Sequence, residues 1–176
     1  MENIIEVTDL SKHYRGVNAV DGVSFSVEKD GIYGLLGRNG AGKSTLMQLL
    51  AGQVFKTSGQ LRIMGQDPVE NAAVMSNIAF IKEAERYPEK IIPKASDVLK
   101  SAALIFQNWD AEFAERLVAD FRVPLKRQMR KLSRGQVSAV GVIVGLASRA
   151  PITMFDEPYL GMDPVARKIF YGHLLA

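Results

Sequence analysis

The sequence predicts an α/β domain in which a glycine-rich loop joins a buried strand to the start of a helix. Residues 32–36 form a short apolar run of the kind found in buried strands, residues 37–45 are rich in glycine, and residues 44–51 are good helix formers. A second apolar run, 151–155, ends in two carboxylates. The predicted architecture is a mixed or parallel sheet flanked by helices, with an antiparallel β part at the N-terminus and an inserted helical subdomain.

Short apolar runs place the other strands. Residues 4–7 and 23–27 alternate between apolar and polar side chains, which indicates antiparallel strands with one covered face. Residues 61–65 form a further short strand, followed by an Asp-Pro pair that breaks it. We expect one domain over residues 1–176, with the helical insert at about 85–145.

Helical spacing extends over residues 95–121, where apolar residues recur first on one face and then on another. Ser96 with Asp97 is the expected N-cap of this block. Near the end of the chain, Asp163 followed by Pro164 predicts an N-cap with proline at the first helical position. The helix that begins there is expected to continue to the end of the chain.

Composition indicates a globular protein and excludes several classes. The 176 residues carry a formal net charge of only +3 and include no cysteine, so neither a disulfide framework nor thiol chemistry is available. The N-terminus lacks the basic and apolar regions of a signal peptide. The most apolar stretch, 137–147, is shorter than the roughly 20 residues that span a bilayer. With Gly141 and Gly145 on one face, it predicts a core helix packed closely against a neighbour.

The glycine-rich run is the strongest chemical signal. Gly37, Gly42, Lys43 and Ser44 fit the phosphate-loop pattern G-x-x-x-x-G-K-[ST]. Glycines let backbone N–H groups approach phosphate oxygens, the lysine supplies a point charge, and the serine hydroxyl can bind Mg²⁺. Because the loop precedes a helix, the helix dipole also favours an anion there. We therefore expect phosphate binding rather than an ordinary glycine-rich turn.

The carboxylates Asp156 and Glu157 follow the second apolar run. A carboxylate at the end of a buried strand can hold Mg²⁺ beside bound phosphates, and a second one can orient or deprotonate an attacking water. Acids at a strand end are often no more than solvated residues. The phosphate loop upstream favours the functional interpretation.

A second helix start with room for an anion lies between these motifs. The segment Lys131–Gln136 reads Lys-Leu-Ser-Arg-Gly-Gln and stands directly before the apolar stretch 137–147. Ser133 is the expected N-cap, and the helix N-terminus can receive an anion. A second anion site in a domain for one nucleotide requires an explanation.

In the order of these motifs the sequence resembles the ATP-binding cassette of ABC transporters. That family's signature is Leu-Ser-Gly-Gly-Gln, and this chain has Leu-Ser-Arg-Gly-Gln at 132–136. The order of aromatic, phosphate loop, helical insert, signature, Asp-Glu strand end and terminal Asp also matches. The resemblance covers nearly the whole chain, and residues 156–164 (Asp-Glu-Pro-Tyr-Leu-Gly-Met-Asp-Pro) strengthen it.

The resemblance implies a role for each matching residue. Tyr14 would stack on adenine, with a strand-end core tyrosine as the alternative. Asp156 would accompany Mg²⁺, Glu157 would be the catalytic base, and Asp163 would communicate between paired cassettes. The loop residues implied to cradle the phosphates are Gly37, Asn39, Gly40, Ala41, Gly42, Lys43, Ser44 (also a Mg²⁺ ligand) and Thr45. The residues implied to contact ATP held by a facing subunit are Ser133, Gly135 and Gln136.

Three positions depart from the family pattern. Arg134 replaces a signature glycine and adds positive charge. Glu83 stands where the family has a glutamine that senses Mg²⁺, which makes it a candidate metal ligand. The family's switch histidine follows one more strand, and the chain stops at Ala176 before it; His173 lies too close to Glu157 to serve. The sequence thus predicts a cassette cut short at its C-terminus.

The resemblance implies an ATP-binding and hydrolysing subunit with ATP and Mg²⁺ as cofactors. It would power a separate membrane permease through ATP-driven head-to-tail dimerisation with a second cassette. The expected location is cytoplasmic, on the inner face of the cell membrane, and the 156–164 segment favours an export (ABC-2-like) type. Two alternatives stay open: a cassette that binds nucleotide without turnover, and a non-transport ABC ATPase acting on ribosomes or nucleic acid. The basic run of Lys126, Arg127, Arg130, Lys131 and Arg134 is interpreted as a solvated helix face plus charge that faces phosphate. We expect no nucleic-acid partner because no aromatics interleave with it.

Overall fold

The computed structural model describes residues 2–82 and 93–175. Within the chain, two compact units can be distinguished, Met1–Ile78 and Ala79–Ala176. Each unit buries its own set of apolar side chains.

A three-stranded antiparallel sheet in the order β2-β1-β3 forms most of the first unit. Its strands are β1 (Asn3–Tyr14), β2 (Val17–Glu28) and β3 (Ser58–Ile63). Both neighbours pair with Ile5 of the central strand, which lies opposite Val27 and Ile63. The predicted antiparallel strands are confirmed.

Strands β1 and β2 are longer than the alternating patterns at 4–7 and 23–27. The pairing register shifts between Val7 and Leu10, and Asp9 between them has a φ of 47°. Such irregularities break the two-residue alternation while the strands continue. The periodicity therefore located each strand and underestimated its length.

Two helices complete the first unit: α1 (Lys43–Leu50) and α2 (Ala72–Met75). Helix α1 directly follows the glycine-rich loop, as predicted. Its Leu46, Leu49 and Leu50 are buried. The helix thus presents one apolar face to the core and its N-terminus to the loop.

The apolar run 32–36 is not a strand, and this prediction was wrong. Among the described residues no strand pairs with it, and the side chains of Ile32 and Leu36 are 62% and 93% exposed. Tyr33 turns back instead, and its hydroxyl oxygen accepts a hydrogen bond from the backbone N–H of Glu28 at 3.1 Å. An apolar run becomes a strand only where a neighbouring strand satisfies its backbone groups, and composition does not reveal that neighbour.

In the described residues of the second unit, 79–82 and 93–175, four α-helices accompany a two-stranded sheet of β4 and β5. The strands are β4 (Ile78–Ile81), which begins at the boundary, and β5 (Ile152–Phe155). The helices are α3 (Ala95–Ile105), α4 (Ala111–Asp120), α5 (Arg134–Ala147) and α6 (Pro164–Leu174). The predicted boundaries of a helical insert at 85–145 remain a prediction.

Helix α5 provides the centre of the second unit's core. Its Val142 and Ile143 are fully buried and belong to one apolar cluster with residues of α3, α4 and α6. A Cβ at Gly145 would lie 2.6 Å from the Phe155 ring, and one at Gly141 would lie 3.0 Å from the side chain of Ile81. The close packing predicted for these two glycines is confirmed.

Two predicted helix features differ in detail. Helix α3 is capped at Lys94, whose backbone N–H donates to the Asp97 carboxylate at 2.9 Å, so Ser96 is inside the helix rather than at its N-cap. The helical block is broken before Asp110, because that carboxylate accepts the backbone N–H of Phe113 and starts α4. Propensity alone does not distinguish one long helix from two capped ones.

Within the basic run, residues 126–131 are not a helix face. They comprise exposed turn residues and a short 3-10 helix, Met129–Lys131. The backbone N–H of Arg127 donates to the Pro124 carbonyl oxygen at 2.9 Å in a turn, and Gln128 forms an isolated bridge with Lys94. In the described part of the chain, residues 2–82 and 93–175, none of the helices combines the length and apolar character needed to cross a membrane.

Candidate functional site

A glycine occupies the N-cap of α1, where the phosphate loop meets the helix. Gly42 is the N-cap residue, with a φ of 84° and a ψ of 6°. A Cβ at this position would collide with the backbone carbonyl oxygen of Ala19. Only glycine fits both this close approach and the left-handed backbone. Since glycine offers no capping side chain, the N-terminus of α1 can turn its N–H groups to an external anion.

Lys43 folds over this loop. Its Nζ donates hydrogen bonds to the carbonyl oxygens of Gly37 at 2.8 Å and Arg38 at 3.1 Å. The loop itself turns tightly, because the backbone N–H of Ala41 donates to the Arg38 carbonyl at 3.1 Å and Gly40 has a φ of 82°. A cation and a helix N-terminus thus converge on one small turn, which is the chemistry that binds phosphate.

The other predicted loop residues lie around the same turn. Asn39 is within it, Ser44 is exposed in the first turn of α1, and Thr45 is half-buried beside it. Tyr14, at the end of β1, is 45% exposed, and the Nζ of Lys12 lies 4.8 Å from its ring centroid. The alternative of a core tyrosine is therefore excluded, while stacking on adenine remains a prediction.

In the second unit, Asp156 and Glu157 directly follow β5. The backbone N–H of Asp156 donates to the carbonyl oxygen of Ile81 at 2.8 Å, which fixes this residue to the end of β4. Glu157 has a φ of 49°, a left-handed conformation that is uncommon outside glycine. Both side chains are half-buried. Backbone strain of this kind tends to occur at functional sites.

No metal cluster of three or more acidic or histidine side chains occurs in residues 2–82 and 93–175. Mg²⁺ takes one or two protein oxygens and completes its shell with phosphates and water. Ser44, in the first unit, carries a hydroxyl and Asp156, in the second, a carboxylate, and their role as Mg²⁺ ligands remains a prediction. Glu83, the third predicted ligand, lies outside the described residues.

The signature segment caps its own helix. The Ser133 hydroxyl oxygen accepts the backbone N–H of Gln136 at 3.2 Å, and the Gln136 side-chain oxygen accepts the backbone N–H of Ser133 at 3.1 Å. This reciprocal pair is a capping box. Ser133 as the N-cap of α5 is confirmed.

Gly135 lies against the loop that follows the Asp-Glu pair. A Cβ here would collide with the carbonyl oxygen of Gly161 and lie 3.3 Å from the Cα of Met162. Gly161 has a φ of 73°, and a Cβ there would lie 2.8 Å from the Cβ of Arg134. The two backbones thus approach so closely that neither position accepts a side chain without movement.

Asp163 ends this loop and starts α6. Its carboxylate accepts the backbone N–H of Ala166 at 2.8 Å, and Pro164 occupies the first helical position. The predicted N-cap and N1 proline are confirmed. A role for Asp163 between paired cassettes remains a prediction.

The carboxylates with clearly shifted pKa values lie away from these motifs. A backbone N–H from Phe113 and the guanidinium of Arg149 lower the pKa of Asp110. A hydrogen bond from Lys56 and a backbone N–H from Val69 lower the pKa of Asp67. These shifts reflect helix capping and an ion pair, which are structural roles.

The structure thus gathers the predicted residues into two groups, one in each unit. The loop 37–45 forms the first, and the second joins Ser133, Gly135 and Gln136 to the loop 157–163. Sequence reasoning missed two side chains of the second group, Ser138 and Arg167. Ser138 was detectable in principle, since it is a polar residue within the most apolar stretch of the chain.

These features define a class: a P-loop nucleotide-binding protein of α/β type. A family model described as ABC transporter matches residues 20–160. The chain therefore belongs to the ABC transporter family.

The relatives agree on this family. The chain is 31% identical over 165 residues to the ABC transporter ATP-binding protein YtrB of Bacillus subtilis (strain 168), covering 93% of this chain and 56% of YtrB. It is 29% identical over 169 residues to the bacitracin transport ATP-binding protein BcrA of Bacillus licheniformis, covering 96% of this chain and 55% of BcrA. The chain thus spans just over half the length of these relatives.

A solved structure shows the same fold. The structure of an ATP binding subunit of an ABC transporter superposes with a TM-score of 0.83 at 27% sequence identity, covering 97% of this chain and 73% of that one. The predicted ABC ATPase fold, with antiparallel strands at the N-terminus, is confirmed.

Proposed function

We propose that this chain binds Mg²⁺-ATP on the loop 37–45, hydrolyses it to ADP and phosphate, and so powers a separate membrane permease. The main support for this proposal is the structure at the start of α1. There, a left-handed glycine without a capping side chain and the ammonium of Lys43 converge on one turn. Membership in the ABC transporter family supports the same chemistry.

In the nucleotide-binding step, the backbone N–H groups of 39–45 and the Nζ of Lys43 bind the phosphates. Tyr14 stacks on the adenine through its exposed ring. Lys43 exchanges its hydrogen bonds to the Gly37 and Arg38 carbonyls for bonds to phosphate oxygens. Ser44 and Asp156 would each offer an oxygen to Mg²⁺, which when bound would neutralise phosphate charge.

In the hydrolytic step, Glu157 orients the attacking water and accepts its proton. Most of the catalytic effect comes from positioning and charge stabilisation, since phosphoryl transfer requires little covalent chemistry from the protein.

The proposed assembly is a head-to-tail pair of cassettes. Ser133, Gly135 and Gln136 of one cassette contact the ATP held on the loop 37–45 of the other, at the N-terminus of α5. Asp163 communicates between the two. The pair would act at the cytoplasmic face of the membrane on a permease, and the export type suggested by the sequence remains a prediction.

The test is nucleotide binding and steady-state hydrolysis, with Lys43→Ala and Glu157→Gln as variants. We expect Lys43→Ala to lose binding and Glu157→Gln to bind Mg²⁺-ATP normally while turnover falls by at least about 100-fold. Binding that depends on Lys43 without any wild-type turnover would restrict this chain to nucleotide binding. Equal binding by wild type and Lys43→Ala would contradict the proposed site.

Permease coupling needs its own measurement. The chain should co-purify from membranes with an integral membrane protein and be released when that protein is removed. Salt-sensitive RNA binding that is lost when Lys126 and Lys131 are changed to Gln would instead favour the non-transport alternative.

A further inference from the structure

The loop 157–163 connects two residues of the second unit that have proposed roles in the ATPase cycle. It begins at Glu157, the proposed base, and ends at Asp163. Its middle presses on the first turn of α5 through Gly161 and Gly135. Any movement of this loop would therefore change the spacing between Glu157 and the residues proposed to contact ATP from the facing cassette.

Ser138 fixes the middle of this loop. Its hydroxyl donates to the carbonyl oxygen of Leu160 at 2.7 Å, in a partly buried position. Ser138 lies one turn beyond Gly135 on α5, so the bond ties the loop to the same helix whose N-terminus carries the signature. Neighbours on this helix, such as Ala139 and Val140, are buried and apolar.

Arg167, in α6, fixes the end of the loop. Its Nε donates to the carbonyl oxygen of Met162 at 3.1 Å, and its guanidinium lies 5.7 Å from the ring centroid of Tyr159. Met162 itself is buried in the core. Within the loop, the backbone N–H of Leu160 donates to the backbone carbonyl oxygen of Glu157, and that of Met162 donates to the backbone carbonyl oxygen of Tyr159. These hydrogen bonds stabilise the loop internally.

We propose that Ser138 and Arg167 are positioning residues for ATP hydrolysis: Ser138 ties the loop 157–163 to α5, Arg167 ties the end of the loop to α6, and together they hold Glu157 at a fixed distance from Ser133 and Gly135. This inference rests on the proposed function. Neither side chain touches ATP or the reacting atoms. Their loss should therefore reduce turnover and leave binding of nucleotide to the phosphate loop unchanged.

The experiment compares Ser138→Ala and Ser138→Thr with a matched control, Ser148→Ala. Ser148 is a buried serine just beyond the C-terminal end of α5, and its hydroxyl donates to the Gly145 carbonyl at 2.6 Å. Ser138→Ala should lower kcat by about tenfold, the size expected for the loss of one buried hydrogen bond, with an unchanged Kd for Mg²⁺-ATP. Ser138→Thr should restore kcat, and Ser148→Ala should keep it near the wild-type value at temperatures where the protein is folded.

A second readout does not depend on turnover. Amide hydrogen exchange of residues 158–163 in the ligand-free protein should be faster in Ser138→Ala and in Arg167→Ala, and unchanged in Ser148→Ala. Unchanged exchange in this loop for both variants would overturn the inference. So would faster exchange combined with a wild-type kcat. If the wild-type chain shows no ATP turnover, the proposed function fails, while the exchange data still decide whether the two side chains hold the loop.

Discussion

Two helix N-termini carry the proposed phosphate contacts, and they are built in opposite ways. Helix α1 starts at a left-handed glycine with no capping side chain, and Lys43 lies over the preceding loop. Helix α5 starts at a serine whose hydroxyl and whose partner Gln136 satisfy two of the first backbone N–H groups. The first terminus has donors to offer a ligand, and the second has used part of its donors internally.

The difference suggests a division of tasks. A terminus without its own caps gains most from an anion, since the ligand supplies the missing acceptors. A terminus with a capping box keeps its shape without a ligand and presents fewer free donors. We therefore expect α1 to provide the main nucleotide affinity, and the N-terminus of α5 to act as a rigid surface that a bound nucleotide meets later.

The largest expected effect comes from Gly42→Ala. The alanine would need a left-handed backbone and would meet the Ala19 carbonyl oxygen. We expect the free energy of unfolding to fall by about 2–4 kcal/mol, from roughly 1–2 kcal/mol of backbone strain plus overpacking of similar size. Nucleotide binding should be lost as well. Urea unfolding and titration with a fluorescent ATP analogue measure the two effects.

Gly40→Ala is the matched control, because Gly40 has nearly the same φ, 82°, and a methyl group added there would have nothing within 4 Å. Only the strain of about 1–2 kcal/mol should appear. A Gly42→Ala variant no less stable than Gly40→Ala would show that the close approach to Ala19 does not matter.

At the other terminus, Gly135→Ala should have a smaller effect. Gly135 has an ordinary backbone conformation, so the cost is only the collision with Gly161, about 1–3 kcal/mol. In contrast to Gly42→Ala, this variant should keep its affinity for ATP on the phosphate loop and lose turnover. A loss of ATP affinity as large as that of Gly42→Ala would contradict the expectation that α1, and not the N-terminus of α5, provides the main nucleotide affinity.

The phosphate loop and the signature were predictable from sequence because each is local. Lys43 and Ser133 act through neighbours within a few residues, and the order of side chains fixes those contacts. The same holds for Asp163 and Pro164 at the start of α6. Gly42 is recognised from the same motif as Lys43, although its close contact with the Ala19 carbonyl is distant in sequence.

The strand expected at 32–36 failed for the opposite reason, since a strand needs a neighbour that its own sequence does not reveal, and among the described residues none pairs with it. The contact of Ser138 with the Leu160 carbonyl likewise depends on the tertiary fold, because the two residues are 22 positions apart. Arg167 bonds a carbonyl only five positions away, so its contact depends on where α6 begins.

Substitutions of Ser133 and Ser44 test the same contrast between the starts of α5 and α1, with smaller expected effects. Ser133→Ala should lower the free energy of unfolding by about 1 kcal/mol, because it removes the acceptor of the Gln136 N–H, and Ser133→Asp should largely preserve it. Ser44→Ala, in the first turn of α1, should change stability by less than about 0.5 kcal/mol, since Ser44 is exposed and is not an N-cap. Its effect should appear only in the Mg²⁺ dependence of nucleotide binding. Equal stability losses for Ser133→Ala and Ser44→Ala would contradict the contrast drawn between the helices.

The smallest expected effect is a pH dependence that belongs to a third helix start, that of α4. Asp110 accepts the Phe113 N–H at 2.9 Å and pairs with Arg149 at 2.8 Å, and both contacts lower its pKa in the folded state. Because the folded pKa is depressed, the stabilisation is complete above the unfolded value of about 3.9 and is lost as pH falls through the folded pKa. Asp110→Asn keeps an N-cap acceptor without the titrating charge, so its unfolding free energy should vary less than that of wild type below about pH 4. Urea unfolding at several pH values measures this; an acid limb as steep as that of wild type would show that the Asp110 charge contributes nothing to stability at the start of α4.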